Sequence, residues 1–112
     1  MELRRMIEQI VESDEKMKEA AEIGIRTMVS LIREYLVDEK YDADRPRTNQ
    51  VRLDYPVHTP RVVLRYIRLK MWLNWRIKVD IISPSPRDIP PIWRLLVEIY
   101  DDLYDDDNND IF

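Results

Sequence analysis

The strongest local pattern in the chain is Ile67-Arg68-Leu69-Lys70-Met71-Trp72-Leu73-Asn74-Trp75-Arg76-Ile77-Lys78-Val79-Asp80-Ile81, where every odd position is apolar. The even positions are polar or charged except for Trp72. On a helix these polar residues would be spread around the whole circumference, whereas on a strand they share one face, so the alternation predicts β structure. Because strands usually have about five or six residues, we expect a bend or two strands that meet near Asn74.

The residues before this segment extend the predicted sheet. Residues 62–66 are rich in β-prone side chains, and residues 51–57 alternate between apolar and polar, with Pro56 placing that strand at an edge or a strand end. The alternative for residues 62–66 is a helix, with Thr59 as its N-cap and Pro60 at its first position. We therefore predict an antiparallel sheet of two to three strands within residues 50–82.

Helical patterns flank the predicted sheet. Residues 1–39 carry apolar side chains at the three- and four-residue spacing of a helix face. One helix of this length would extend about 50 Å, so its apolar stripe either faces another subunit or belongs to two shorter helices packed on their own sheet. Pro90-Pro91 can open a C-terminal helix, predicted for residues 89–104, because the first turn needs no amide hydrogen. For residues 1–39 we favour one long helix, with a kink as a variant of it. The expected fold is therefore a single α+β domain over residues 1–112, with a long N-terminal helix, the antiparallel sheet, the C-terminal helix and an acidic tail at residues 105–112.

Composition limits the class of protein. A chain of 112 residues, 45% hydrophobic and 36% charged, fits one globular domain. No stretch approaches the roughly 18 consecutive apolar residues of a membrane span, and the N-terminus lacks the apolar core of a signal peptide. Zero cysteines exclude a disulfide framework, a thiolate zinc site and a cysteine nucleophile. We expect a protein of the cell interior or of a virus particle.

The sequence lacks motifs for catalysis and for metal or cofactor binding. Gly24 is the only glycine, which excludes the glycine-rich phosphate loops of nucleotide-binding proteins. The only histidine, His58, has no serine or cysteine nucleophile with a recognisable local signature. Asp105, Asp107 and Asn109 have the spacing of a calcium loop, but the glycine that such a loop requires next is missing. We therefore expect a protein that is not an enzyme and has no metal site or cofactor.

Charge is segregated along the chain. Residues 45–78 hold nine bases and one acid, whereas residues 98–112 hold seven acids and no base. On the predicted basic strand face, cations for phosphates surround an aromatic ring on which a nucleic-acid base can stack. An ordinary solvated sheet face, with the tryptophan packed under a helix, gives the same pattern. The candidate face for a nucleic acid or a protein partner consists of Arg68, Lys70, Trp72, Arg76 and Lys78.

An acidic run closed by Ile-Phe ends the sequence. It resembles in outline the acidic, phenylalanine-ended tails of bacterial single-stranded-DNA-binding proteins, which implies a role in recruiting partners. The rest of the chain does not resemble the glycine-bearing barrel of that family, so the alternative is a tail that lies on the basic face of its own or a neighbouring chain. The candidate docking residues of the tail are Asp105, Asp106, Asp107, Asp110, Ile111 and Phe112.

The expected order of elements is a long N-terminal helix, strands at 51–57 and 62–82, a proline link and a helix at 92–104. This order resembles that of the small neck and tail-terminator proteins of tailed viruses. Trp75-Arg76-Ile77-Lys78-Val79-Asp80-Ile81-Ile82 followed by a helix is similar to the ending of those ring-forming subunits. The resemblance implies a non-catalytic subunit that forms a homo-oligomer or docks with other protein subunits in a virus particle. The alternative is a single-stranded nucleic-acid-binding module whose basic strand face is regulated by the acidic tail.

Overall fold

The computed structural model describes residues 2–37 and 49–99. Its elements, in chain order, are α1 (Leu3–Glu12), α2 (Glu15–Leu36), β1 (Asn49–Pro56), α3 (Arg61–Trp75), β2 (Asp80–Ile82) and β3 (Ile92–Ile99). The three strands form one antiparallel sheet in the order β1-β3-β2. The predicted α+β class with a small antiparallel sheet is confirmed.

The N-terminal helical region contains two helices, not one. Helix α1 ends at Glu12, and the side chain of Asp14 caps α2 by accepting hydrogen bonds from the backbone N–H groups of Lys16 (3.0 Å) and Met17 (3.1 Å). Such a cap satisfies backbone donors that have no partner inside the helix. The break lets α1 and α2 contact each other and lets both contact α3.

The prediction of β structure over residues 62–82 is wrong for most of that segment. Helix α3 occupies Arg61–Trp75, and only Asp80–Ile82 form a strand. The helix begins next to the Thr59-Pro60 pair that the alternative prediction placed at a helix start. Val63, Ile67 and Met71 are buried and recur every four residues, so they form a helical stripe that the alternation at residues 67–81 concealed.

The predicted C-terminal helix at residues 89–104 is also wrong, because Ile92–Ile99 forms the central strand β3. Trp93, Leu95 and Val97 are buried at alternate positions, as expected for one face of a strand. Strand β1 pairs along the whole length of β3, and β2 pairs with its other edge. Residues 100–104 lie outside the described residues.

The hydrophobic core lies between the helices and one face of the sheet. Helix α2 contacts β1, and α3 contacts β2. Gly24 lies where α2 approaches α3 and the sheet, because a Cβ atom there would meet the Tyr55 hydroxyl and come within 2.7 Å of the Ile67 side chain. The buried core consists of Ile7, Val11, Ala21, Met28, Val51, Val63, Leu64, Tyr66, Ile67, Met71, Val79, Trp93, Leu95 and Val97.

The link between β2 and β3 is held by a local charge pair. The Asp88 carboxylate accepts a hydrogen bond from Arg94 Nη2 at 2.6 Å and another from the Ser85 backbone N–H at 3.1 Å. The hydrogen bond from Arg94, followed by that from Ser85, lowers the pKa of Asp88. This pair ties the proline-containing link to the central strand.

Candidate functional site

The exposed side of α3 carries a row of arginines that ends in a tryptophan. Arg61, Arg65, Arg68 and Trp72 are separated by four, three and four residues, so they lie on one side of the helix. Residues 61–78 contain six bases and no acid. The fold therefore gathers positive charge along one surface of a helix whose opposite surface is core.

A groove lies between this side of α3, the start of α1 and residues 78–80, with a volume of about 460 Å³. Its lining combines apolar side chains with a predominantly basic set of charged ones. The apolar lining comes from Leu3, Ile7, Leu69, Trp72 and Val79, and the charged lining from Arg4, Arg65, Arg68, Lys78 and Asp80. The groove can therefore contact a ligand that has both apolar and anionic parts.

Trp72 is the most accessible aromatic surface of the groove, with 49% of its area exposed. The Arg76 guanidinium lies over its ring, with Cζ 5.6 Å from the ring centroid, and Arg76 Nη1 donates a hydrogen bond to the Trp72 carbonyl oxygen at 3.2 Å. Arg76 is also the residue that directly follows α3 as its C-cap, with a φ of 57°. That left-handed conformation favours glycine and costs an arginine roughly 1–2 kcal/mol. The strained position keeps a cation beside the exposed ring.

Most of the basic side chains that line the groove form no ion pair with a carboxylate. Among the residues that the structure describes, Arg65, Arg68 and Lys78 form no ion pair. Arg4 lies 3.5 Å from Glu8, and that distance is long for a strong ion pair. Three cations at the groove therefore keep their charge available for an anionic ligand.

The predicted binding residues do not all share one face. Arg68, Trp72 and Lys78 line the groove together, and Arg76 lies over Trp72. Lys70 is the exception, because its Nζ atom contacts Glu8 at 2.7 Å on another side of α3. The strand prediction placed Lys70 with the other cations, whereas the 100° rotation per residue in a helix turns it away.

Sequence reasoning missed the residues that extend the basic row. Arg65 and Arg61 lie about one and two helical turns before Arg68, and Arg4 reaches the groove from α1. The spacing of four, three and four residues would have identified the first two, because it is helical. Nothing in the linear pattern indicates Arg4, which only the packing of α1 against α3 brings there.

A second, smaller cavity of about 210 Å³ adjoins the groove. Arg65 and Arg68 line both cavities. The smaller cavity also has Arg61 and Ser83 in its lining. The guanidinium of Arg61 lies over the ring of Trp93, with Cζ 5.3 Å from the centroid. Together the two cavities form a continuous basic surface along α3.

Other predicted features give no site in the described part of the chain. No group of three or more His, Cys, Asp or Glu side chains there is arranged to hold a metal ion. His58 is exposed in the turn that precedes α3. The tail residues Asp105, Asp106, Asp107, Asp110, Ile111 and Phe112 lie outside the described residues. No helix within residues 2–37 and 49–99 is long and apolar enough to cross a membrane.

Comparison of the chain with models of known protein families, with curated proteins and with solved structures finds no match. The observations that bear on function are therefore those of the groove itself. These are the arginines of α3 that form no ion pair among the described residues, the exposed ring of Trp72 at the end of their row, and the apolar side chains that line the groove.

Proposed function

We propose that this chain is a non-catalytic binding module that holds single-stranded nucleic acid in the groove along α3. The observation that carries the proposal is the exposed ring of Trp72 in a groove lined by Arg65, Arg68 and Lys78. Proteins that bind single strands combine cations that follow the phosphates with aromatic rings on which bases stack. Unpaired bases have exposed apolar faces, which the apolar side chains that line the groove can contact.

The charge of the folded part supports this proposal. The whole chain has a net charge of −4, but the described residues contain 15 bases and 12 acids, a net charge of +3. Much of that positive charge lies on and just after α3. An acidic isoelectric point for the whole chain is therefore compatible with a local basic surface that attracts a polyanion.

The acidic tail enters the proposal as a competitor. Residues 100–112 contain six acids and no base, and they lie outside the described residues. A segment of this charge is attracted to the same cations as a phosphate backbone. We expect it to lower the affinity for nucleic acid, and partners that bind the tail would then make the groove more available.

The test measures the anisotropy of a fluorescent oligothymidylate of about ten nucleotides as full-length protein is added. Affinity should fall steeply with salt, with a logarithmic slope of about −0.7 for each phosphate contacted. Trp72→Ala should weaken binding by about 5- to 150-fold, because stacking of one base contributes about 1–3 kcal/mol.

Trp75→Ala is the matched control, because Trp75 is on the same helix and is 46% exposed, close to the 49% of Trp72, but does not line the groove. It should change the affinity little. Equal effects of the two substitutions, or an affinity that does not depend on salt, would show that the groove is not the binding surface.

The second candidate is an assembly subunit that forms a homo-oligomer, as in the neck or tail of a virus particle. The observation that favours it is an exposed apolar stripe on α1, formed by Leu3 (65% exposed), which also borders the groove, Met6 (44%) and Ile10 (46%). The spacing of three and four residues puts these side chains on one helix face. The strand-then-helix ending on which the virus resemblance rests is not the one observed, because Trp75 ends α3 and Ile92–Ile99 is a strand.

Native mass decides whether this stripe is an interface. The wild-type protein should have a mass of two or more times the 13.6 kDa of one chain, and Met6→Glu or Ile10→Glu should reduce it to that of one chain. Ile23→Glu is the control, since Ile23 is exposed on α2. A strictly monomeric wild-type protein at high micromolar concentration would eliminate assembly through α1.

A further inference from the structure

We infer that the smaller cavity beside the groove is a subsite for a terminal phosphate, the phosphomonoester at the end of a bound strand. This inference rests on the proposed function, because it assigns the end of the ligand whose body lies in the groove. The cavity has a volume of about 210 Å³ and is lined by Arg61, Arg65, Arg68 and Ser83 together with apolar side chains.

The charge of the lining favours a highly charged anion. Three arginines and no acid line this cavity, whereas the groove also has Asp80 in its lining. A phosphomonoester carries about −1.5 to −2 charges at pH 7, with a second pKa of about 6, but a phosphodiester of the backbone carries one. Guanidinium groups bind phosphate oxygens through paired N–H donors, and the Ser83 hydroxyl can supply a further donor.

The wall of the cavity is held in place before any ligand binds. Trp93 is only 7% exposed, and its indole Nε1–H donates a hydrogen bond to the Val57 carbonyl oxygen at 3.1 Å. The Arg61 guanidinium lies over this fixed ring at 5.3 Å. A cation positioned on a rigid platform loses less side-chain entropy on binding than a free one does. This cavity therefore has a preorganised arginine, which an ordinary basic surface lacks.

The two cavities are connected through shared side chains. Arg65 and Arg68 line both of them, and the two residues are three apart on one side of α3. A strand whose bases lie in the groove near Trp72 thus has arginines that lead into the smaller cavity. That cavity is the place where the strand ends.

The experiment compares three oligothymidylates of equal length and full-length protein. One carries a 5′-phosphate, one a 3′-phosphate, and one has hydroxyl groups at both ends. One of the two phosphorylated strands should bind about tenfold more tightly than the unphosphorylated strand, and which one it is reveals the direction of the strand. The preference should decrease below about pH 6, where the monoester gains a proton, while binding of the unphosphorylated strand changes less.

Two variants locate the effect. Ser83→Ala should remove most of the preference for the phosphorylated end and leave binding of the unphosphorylated strand nearly unchanged. Arg61→Gln should weaken binding of the phosphorylated strand more than binding of the unphosphorylated strand, so it should also reduce the preference. Ser83→Ala keeps the contact between Arg61 and Trp93, so its effect cannot come from a folding defect caused by loss of that contact. Arg5→Gln, an exposed arginine on α1 that lines neither cavity, should keep the preference.

Equal binding of all three strands overturns the inference, even if Trp72→Ala shows that the groove binds nucleic acid. If none of the strands binds, the proposed function fails, and inorganic phosphate becomes the probe of the subsite. Phosphate should then shift the backbone amide resonances of residues 61 and 83 in the wild-type protein. It should not shift those of the same two positions in Ser83→Ala. The absence of those shifts also overturns the subsite.

Discussion

Helix α3 carries cations on two of its sides, and the two sides differ in what the cations contact. Lys70 forms a close ion pair with Glu8, and its Nζ atom lies 5.3 Å from the ring centroid of Tyr66. Arg65 and Arg68 instead face cavities and form no ion pair among the described residues. One side uses charge to attach α3 to α1, and the other keeps charge available for a ligand.

The side of α3 that faces α1 shows the electrostatics of a structural contact. The hydrogen bond from Lys70 lowers the pKa of Glu8, an effect that burial partly opposes. Nearby, the Tyr66 hydroxyl donates a hydrogen bond to Glu12 at 2.8 Å. Burial and this hydrogen bond raise the pKa of Tyr66. Each group on this side has a partner that suits its charge at neutral pH, which is typical of a structural contact.

The largest expected effect comes from reversing charge on the side of α3 that faces the two cavities. The double variant Arg65→Glu, Arg68→Glu should weaken binding of single-stranded nucleic acid by about 100-fold or more, because two phosphate contacts become repulsions. Its melting temperature should change little, since both side chains are exposed. Anisotropy titration and thermal unfolding measure the two properties, and a large loss of stability with unchanged affinity would reverse our assignment of the sides.

Gly24→Ala tests how closely α2 packs against the buried side of α3. The new methyl group would come within 2.7 Å of the Ile67 side chain, which is fully buried. Overpacking of this kind costs about 1–3 kcal/mol, and the higher helix propensity of alanine offsets up to about 1 kcal/mol. We expect a net loss of about 1–2 kcal/mol in the free energy of unfolding, measured in urea. Ser30→Ala, at an exposed position of α2, is the control, and equal stability of the two variants would contradict the close approach at Gly24.

Neutralising the acidic tail tests whether it competes with nucleic acid for the cations of the groove. Replacing all six aspartates of residues 100–112 with asparagine should strengthen binding of the oligonucleotide about two- to tenfold at low salt, and less at high salt because screening weakens the competition. The control replaces Glu19 and Glu34, exposed acids of α2, with glutamine. If the control strengthens binding as much as the tail variant does, net charge and not tail competition is responsible.

The smallest expected effect is on the pH dependence of stability. Hydrogen bonds from Lys70, Arg52 and Arg94 lower the pKa values of Glu8, Asp54 and Asp88 respectively. Carboxylates with lowered pKa values stabilise the folded state above the unfolded pKa of about 4. That stability is lost as pH falls through the folded-state values. Lys70→Met should reduce the decline of melting temperature between pH 6 and pH 3 without changing oligonucleotide binding at neutral pH, and an unchanged decline would show that the pair with Glu8 contributes nothing.

Raised tyrosine pKa values predict the opposite behaviour at high pH. Burial raises the pKa of Tyr55, and burial with the hydrogen bond to Glu12 raises that of Tyr66. The neutral phenols then stabilise the folded state below the unfolded pKa of about 10, and that contribution declines as pH rises further. Tyr66→Phe should make the melting temperature less sensitive to pH above about 10. An unaltered alkaline decline in this variant would contradict the assignment.

Sequence reasoning found the right residue types for the candidate site but placed one of them on the wrong face. Arg68, Trp72 and Lys78 were predicted to lie together, and the structure brings them to one groove. Lys70 was grouped with them because a strand repeats every two residues. The helix turns Lys70 toward Glu8 and brings Arg65 beside Arg68 instead. The error in the period therefore exchanged one residue of the site for another.

The two misassigned segments have ambiguous patterns. Residues 67–81 alternate, but Val63, Ile67 and Met71 also satisfy the helical period, and these residues form the core contacts. In Ile92–Ile99, apolar residues at both odd and even positions match a helix stripe as well as a central strand. Local sequence does not discriminate between the two in such cases, because the choice depends on which partner buries the apolar side chains.

The sequence by itself determined the α+β class, the helical character of the N-terminal region, the strand near Val51 and the concentration of basic residues after Pro60. These follow from composition and from patterns within one segment. Only the tertiary structure decided that residues 61–75 form a helix and that residues 92–99 form the central strand. The physical reason is that β3 gains its backbone partners from β1 and β2 on both edges, and α3 buries its stripe against α1, α2 and β2. Those contacts join residues that are far apart in the chain, so no single segment contains the information.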